Sequence, residues 1–185
     1  MAKGTLYLVV GPSGSGKDTL IDAARKARPD LHFVQRAITR PRNAGGESHT
    51  PYTPEEFAAE KRMNGFVLAW DAHGYRYGVP ASLTERLAAG QSAVLGASRF
   101  VVNEARALFD PLRIVHVTAR LDDLARRLRE RGREDAEEIE GRIARATRDA
   151  PRGPDVVTID NSGTIEQGIA AFLAVLSSHP AKETS

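Results

Sequence analysis

The stretch Thr5-Leu6-Tyr7-Leu8-Val9-Val10-Gly11-Pro12-Ser13-Gly14-Ser15-Gly16-Lys17-Asp18-Thr19 decides the fold of this chain. A short apolar run stopped by Gly-Pro reads as a strand, Thr5–Val10, buried on both faces. From Lys17 to Arg28 the period lengthens, and Leu20, Ile21 and Ala24 fall on one face of a helix. Between the two, Gly11-x-x-x-x-Gly16-Lys17 has the Walker A spacing in its required setting, a strand before and a helix after. Such a loop turns backbone N–H groups toward phosphate oxygens, the helix N-terminus adds positive potential, and Lys17 reaches the β- and γ-phosphates of a nucleotide. Gly11, Pro12, Ser13, Gly14, Ser15, Gly16, Lys17, Asp18 and Thr19 are therefore the expected nucleotide-binding residues, with ATP as the expected nucleotide.

The last position of the motif departs from the usual pattern. Asp18 stands where a Ser or Thr normally meets Mg²⁺. A carboxylate beside a triphosphate repels it unless a cation lies between, so Asp18 is the candidate metal residue. An acid in the first turn of a helix also stabilises the dipole, which is the competing structural reading. Thr19 lies about 100° further round the helix and does not take the same place. The strand candidates Ser92–Leu95 and Ile114–Val117 end without the Asp of a Walker B element, which favours the metal reading.

Working outward, strands are expected at Val67–Ala69, Ser92–Leu95, Leu112–Thr118 and Asp155–Ile159. Helices are expected at Ser82–Ala89, Leu121–Arg131, Glu137–Arg148 and Ile165–Leu176. This alternation predicts an α/β fold of the P-loop NTPase type, a parallel sheet flanked by helices. Thr53-Pro54-Glu55-Glu56 supplies an N-cap, a proline at the first helical position and a capping-box glutamate, so a short helix Pro54–Asn64 begins there. Gly- and Pro-rich Pro41–Pro51 precedes it and His73–Gly78 follows, both read as loops. This region is expected to be an inserted acceptor-binding subdomain, about residues 36–80 of a single domain covering 1–185. About 127–145 is expected to be a helical lid, and 178–185 a flexible tail.

The chain has 185 residues, 41% of them hydrophobic, which suits one core. Its apolar runs are strand-sized, far short of the roughly 20 residues that span a bilayer, and no secretory leader is legible, so a cytoplasmic protein is expected. Without cysteine, disulfides and thiolate zinc sites are excluded. A formal charge of +2 and no continuous basic face argue against nucleic acid as partner. A homodimer stays open.

Gly11–Thr19, Ile38-Thr39-Arg40-Pro41-Arg42, Gly46-Glu47, Glu55-Glu56-Phe57, Trp70, His73-Gly74, Tyr77-Gly78 and Arg131-Gly132 together resemble the guanylate kinase superfamily over nearly the whole chain. Within it, Gly16-Lys17-Asp18-Thr19 and the string Trp70–Pro80 resemble the ribose 1,5-bisphosphate phosphokinases. That resemblance implies an ATP-dependent phosphotransferase that makes 5-phosphoribosyl 1-diphosphate in phosphonate catabolism, with a small anionic sugar phosphate as acceptor and Mg²⁺ as cofactor. Guanylate kinases carry a guanine-binding Glu just before the tryptophan and a hydroxyl residue after Tyr-Gly. Here these are Ala69 and Val79, and a phosphate-holding Tyr is replaced by His49. Neither Ala nor Val satisfies a base.

An acceptor with two phosphates needs several cations, and guanidinium forks suit phosphate. Arg36, Arg40 and Arg42 are candidates, with Thr39, His49, His73 and Tyr77 adding hydrogen bonds. The family pattern carries Arg40, Arg42 and Tyr77; Arg36 reads equally well as a solvated arginine, and a lone histidine is more often structural than a ligand. Arg127, Arg131, Arg133, Arg142 and Arg145 lie where relatives carry the lid, and Arg131 and Arg142 match its phosphate-gripping arginines, so they join Lys17 as catalytic candidates. Asn161 sits either near the adenine or in a plain turn. Another small-molecule or nucleoside monophosphate kinase of the same fold, and a catalytically silent nucleotide-binding module, are the competing readings.

Overall fold

Every residue of β1 (Leu6–Val10) is buried, and strand alternation sends its side chains into two different cores. Leu6, Leu8 and Val10 pack with Leu95 and Ile114 on one face of the sheet. Tyr7 and Val9 pack with Leu20, Ala24, Val115 and Val117 on the other. The computed structural model describes residues 2–41, 48–131, 141 and 150–177.

After β1 come α1 (Lys17–Ala27), β2 (His32–Phe33), β3 (Ala37–Ile38), β4 (Thr50–Pro51), α2 (Pro54–Arg62), β5 (Phe66–Ala72) and β6 (Tyr75–Pro80). They are followed by α3 (Ser82–Ala88), β7 (Ala93–Gly96), a 3-10 turn Arg99–Val101 running into α4 (Val102–Leu108), and β8 (Leu112–Thr118). The last described elements are α5 (Leu121–Arg131), β9 (Val156–Asp160) and α6 (Ile165–Ser177). The main sheet has the order β2-β7-β1-β8-β9, and its pairings are parallel. Leu20 and Ala24 of α1 and Phe172 of α6 cover one face; Leu83 and Leu87 of α3 and Val102 and Ala105 of α4 cover the other. This is the expected α/β arrangement, and it brings the C-terminal ends of β1, β7, β8 and β9 to one edge, where ligands of open parallel sheets bind.

A second, four-stranded sheet has the order β4-β3-β6-β5. Leu68 and Val79 from it enter the same core as Leu6 and Leu8, so the sheet is anchored against the main one. The Thr53 cap forms as the sequence predicts: Thr53 Oγ1 accepts from Glu56 N at 3.1 Å and Glu56 Oε2 accepts from Thr53 N at 2.8 Å.

Several stretches differ from expectation: β2 and β3 are two-residue strands too short to show a period, and Thr50–Pro51, read as loop, pairs with β3 as β4. Residues 75–78, read as loop, belong to β6, which pairs with β5 across the turn His73-Gly74. Both turn residues have positive φ, 53° and 77°, the twist that a two-residue hairpin requires; histidine in place of the usual Asn hides this signal. The segment 99–108 forms a helical turn and α4, too short to show a clear period. The helix expected at 137–148 and the tail 178–185 lie outside the described residues, apart from helical Gly141.

Candidate active site

Gly16 leads into α1 with φ 86°, and a Cβ there would lie 2.4 Å from Asn161 Nδ2. Glycine is needed both for the left-handed backbone and for this close approach. Asn161 follows β9 and is buried. Its side-chain amide donates to the Ser15 carbonyl at 2.8 Å, and its backbone N–H donates to Thr118 O at 2.7 Å. Arg127 of α5 completes the brace, donating to Gly14 O at 3.2 Å and to Asn161 O at 2.9 Å. The phosphate loop is thus held from behind by α5 and by the end of β9. Asn161 is more than a turn residue; it is a strut of the loop. The Ser15 side chain is buried and its hydroxyl has no hydrogen-bond partner among the described residues.

The loop separates two cavities. One, of about 440 Å³, is lined by Gly11, Pro12, Ser13, Lys17 and Asp18 together with acceptor-sheet residues and the segment Ala97–Phe100. The other, of about 420 Å³, is lined by Gly14, Gly16, Thr19, Arg126, Arg127, Asn161 and Ile165. Asp18 and Thr19, about 100° apart on the helix, therefore face different cavities.

On the acceptor side, Arg36 is only 8% exposed. The reading of Arg36 as a solvated arginine is corrected: its guanidinium carbon lies 5.8 Å from the Trp70 ring centre and 5.4 Å from that of Tyr77. The two rings are cross-strand partners, 5.4 Å apart and nearly parallel at 6°, and together offer a guanidinium their negative faces. Burial pushes the Arg36 pKa down to about 10, opposed by Asp18 and Tyr77 and reinforced by Arg40. It is still charged at neutral pH. Burial likewise raises the Tyr77 phenol, against the pull of Arg36 and Arg40.

Arg40 stacks 6.0 Å from the Tyr75 ring centre, and its buried Nε has no partner among the described residues. His49 is buried; its Nε2 lies 3.0 Å from the Arg40 carbonyl and its Nδ1 3.5 Å from Arg40 Nη2. It holds Arg40 and does not line the cavity. Thr39 is similarly engaged, its Oγ1 accepting from Arg76 N at 2.8 Å, which stitches β3 to β6. His73 and Tyr77 line the cavity. Arg42, Arg133, Arg142 and Arg145 lie outside the described residues, and Arg131 is described only in its backbone, as the last residue of α5.

Ser98, Arg99 and Phe100, for which the sequence gives no site reading, line the cavity beside Lys17 together with Trp70. Ser98–Phe100 follow β7 directly, and the rule that ligands sit beyond the carboxyl ends of parallel strands was the available signal. His116 of β8 is buried, with its Nε2 unpartnered among the described residues. Burial, and secondarily the Arg99 charge, hold its pKa below the ordinary histidine value.

Among the described residues no group of three or more metal-ligating side chains exists. One carboxylate beside a phosphate site is nevertheless enough for Mg²⁺, which takes one or two carboxylates and fills its octahedron with phosphate oxygens and water; Asp18, lining the cavity next to Lys17, fits that donor set. Among the described residues no helix is long and apolar enough to cross a membrane.

No protein-family model matches the chain. It is 41% identical over 177 residues to the ribose 1,5-bisphosphate phosphokinase PhnN of Rhizobium etli, covering 94% of this chain and 90% of that one. It is 45% identical over 177 residues to the enzyme of the same name from a Ruegeria species, covering 95% and 93%. A bifunctional ribose 1,5-bisphosphokinase-thymidine phosphorylase of Cupriavidus necator is 44% identical over 176 residues, and there the chain spans only 29% of the relative's length. Among solved structures, a guanylate kinase from Anaplasma phagocytophilum matches with a TM-score of 0.68 at 16% identity, over 96% of this chain and 88% of that one; at that identity the likeness concerns the fold.

Two outcomes follow from the brace and from His116. Asn161→Ala leaves the buried Ser15 carbonyl without its donor, and ATP binding measured by titration calorimetry is expected to weaken about 10-fold; unchanged affinity would mean that the loop holds its shape unaided. An unfolded histidine titrates near 6.5, so burying His116 neutral contributes stability that is whole above about pH 6.5 and is lost as the pH falls through the lower folded value. His116→Gln is expected to flatten the fall in Tm between about pH 7 and about pH 5, with His32, shifted the same way by burial, leaving a residual slope.

Proposed function

Because the chain belongs to the ribose 1,5-bisphosphate phosphokinase family, we propose that it transfers the terminal phosphoryl group of ATP to the 1-phosphate of ribose 1,5-bisphosphate, giving 5-phospho-α-D-ribose 1-diphosphate and ADP in phosphonate catabolism. The observation that carries this reading is the chemistry of the acceptor wall. A guanine would need a carboxylate and a hydroxyl at Ala69 and Val79, and Val79 is fully buried in the core. What faces the cavity instead is the Arg36 guanidinium spread over Trp70 and Tyr77. That wall suits an anion without a base.

In the proposed reaction an oxygen of the 1-phosphate attacks the γ-phosphorus, the new P–O bond forms as the bond to the β,γ-bridging oxygen breaks, and ADP leaves. With a second pKa of about 6, a phosphate monoester is already largely dianionic at neutral pH, so no side chain has to remove a proton. The difficulty is bringing two polyanions together, and positioning with charge neutralisation supplies most of the rate. Lys17 neutralises the β- and γ-oxygens at the mouth of α1. Arg36 receives the acceptor, assisted by Tyr77 and His73, and Arg40, held by His49, adds positive charge behind that wall. Arg42 completes the acceptor cations, and Arg131 and Arg142 close on the transferring group from the lid. Asp18 would hold a Mg²⁺ ion, which when bound offsets the charge of the β- and γ-oxygens. The nucleotide base lies in the cavity behind the loop, beside Thr19, Arg126 and Ile165.

Phosphoryl transfer from Mg²⁺-ATP to ribose 1,5-bisphosphate, with GMP and ribose 5-phosphate in parallel and products identified by phosphorus NMR, is the test. The diphosphate product is expected from the bisphosphate alone; turnover of GMP, or of no acceptor, would reject the assignment. For Asp18→Ser the concentration of Mg²⁺ giving half-maximal rate is expected to rise, and an unchanged Mg²⁺ dependence would remove Asp18 from the metal site.

A further inference from the structure

The acceptor cavity has three walls, and each carries a cation. Lys17 stands on the phosphate loop, Arg36 on the acceptor sheet, and Arg99 on the segment that leaves β7. Resting on the function proposed above, we propose that Arg99 is a specificity-determining residue that binds, opposite Arg36, the acceptor phosphate that does not react, the one on C5 of the ribose.

The chemistry of the acceptor demands such a group. Its two phosphates are separated by the sugar ring, so the residues that steady the nucleophilic phosphate beside Lys17 do not also grip the distal one. Arg40 does not line the cavity: it is turned onto Tyr75 and His49. Arg36 reaches the cavity from one side only. A dianionic monoester offers three terminal oxygens, and guanidinium groups from two walls match it better than one.

The backbone makes Arg99 a firm point of attachment. It opens the 3-10 turn Arg99–Val101, in which Ser98 Oγ accepts from Phe100 N at 3.3 Å, and the next residues, Val101 and Val102, are buried in the core. Arg99 is therefore fixed at its base, just past the carboxyl end of β7, and lines the cavity. Its charge acts on buried His116 of β8, two strands away across β1, in keeping with its place in the cavity wall. Phe100, 76% exposed on the same lip, marks the outer rim.

The test compares ribose 1,5-bisphosphate with ribose 1-phosphate, which keeps the nucleophile and lacks the distal phosphate, in wild type, Arg99→Ala and Arg99→Lys, with thermal melts as the control for folding. Arg99→Ala is expected to reduce the preference for the bisphosphate, read as the ratio of the two kcat/KM values, by about 10- to 100-fold, with the KM for ATP held; Arg99→Lys should restore part of it. Ribose 5-phosphate, which keeps only the distal phosphate, should inhibit competitively, and its inhibition constant should rise by the same factor in Arg99→Ala. Equal losses on both acceptors, or an unchanged inhibition constant, would overturn the assignment of Arg99 while leaving the function standing. A wild type inactive on the bisphosphate would overturn the function, and the role of Arg99 with it.

Discussion

β1 lies inside the sheet, with a neighbour on each edge and a core on each face, and everything that handles phosphate depends on that confinement. A loop whose amides must converge on an anion gains nothing from flexibility, because each group left to wander has to be ordered again on binding. Confinement of β1 fixes where the loop starts, and α1 fixes where it ends. The bond network from Asn161 and Arg127 then fixes the curve between them, through the Gly14 and Ser15 carbonyls. The cradle is pre-formed by contacts that a bound phosphate does not replace.

The acceptor sheet solves the opposite problem. It must hold positive charge where burial opposes it, and desolvation weighs heavily on a guanidinium. The structure offsets this with two aromatic faces beneath Arg36 and the carboxylate of Asp18 in range. An arginine kept in such a place has little water to lose when an anion arrives. The same carboxylate links the two halves of the site, since Asp18 belongs to α1 yet faces the acceptor cavity. Its charge is balanced by Arg36 across the cavity, and binding of a cation or an anion at either end alters that balance at the other.

Much of this was legible before any coordinate. The strand, the glycine loop, the helix and the Thr53 capping box are local patterns, and each element formed at or within a few residues of its expected bounds. The misreadings share one cause. Residues 75–78 read as loop from the sequence because the hairpin at His73-Gly74 shows in φ values and in the partner strand, not in the residue names. For Arg36 the sequence leaves the binding and solvated readings level, because nothing nearby in the chain reveals that Trp70 and Tyr77 lie beneath it.

The sequence by itself determined the phosphate cradle and the α/β class, because a Walker A loop is contiguous and its chemistry travels with its spacing. The tertiary structure alone decided that Asn161 and Arg127 brace that loop, that His49 serves Arg40 and not the cavity, and that Arg36 and Arg99 line one cavity. The physical reason is that the burial, field and hydrogen-bond partners of a side chain are sums over neighbours supplied by distant segments, and only the packing of β7, β9, α5 and the acceptor sheet around β1 brings those segments together.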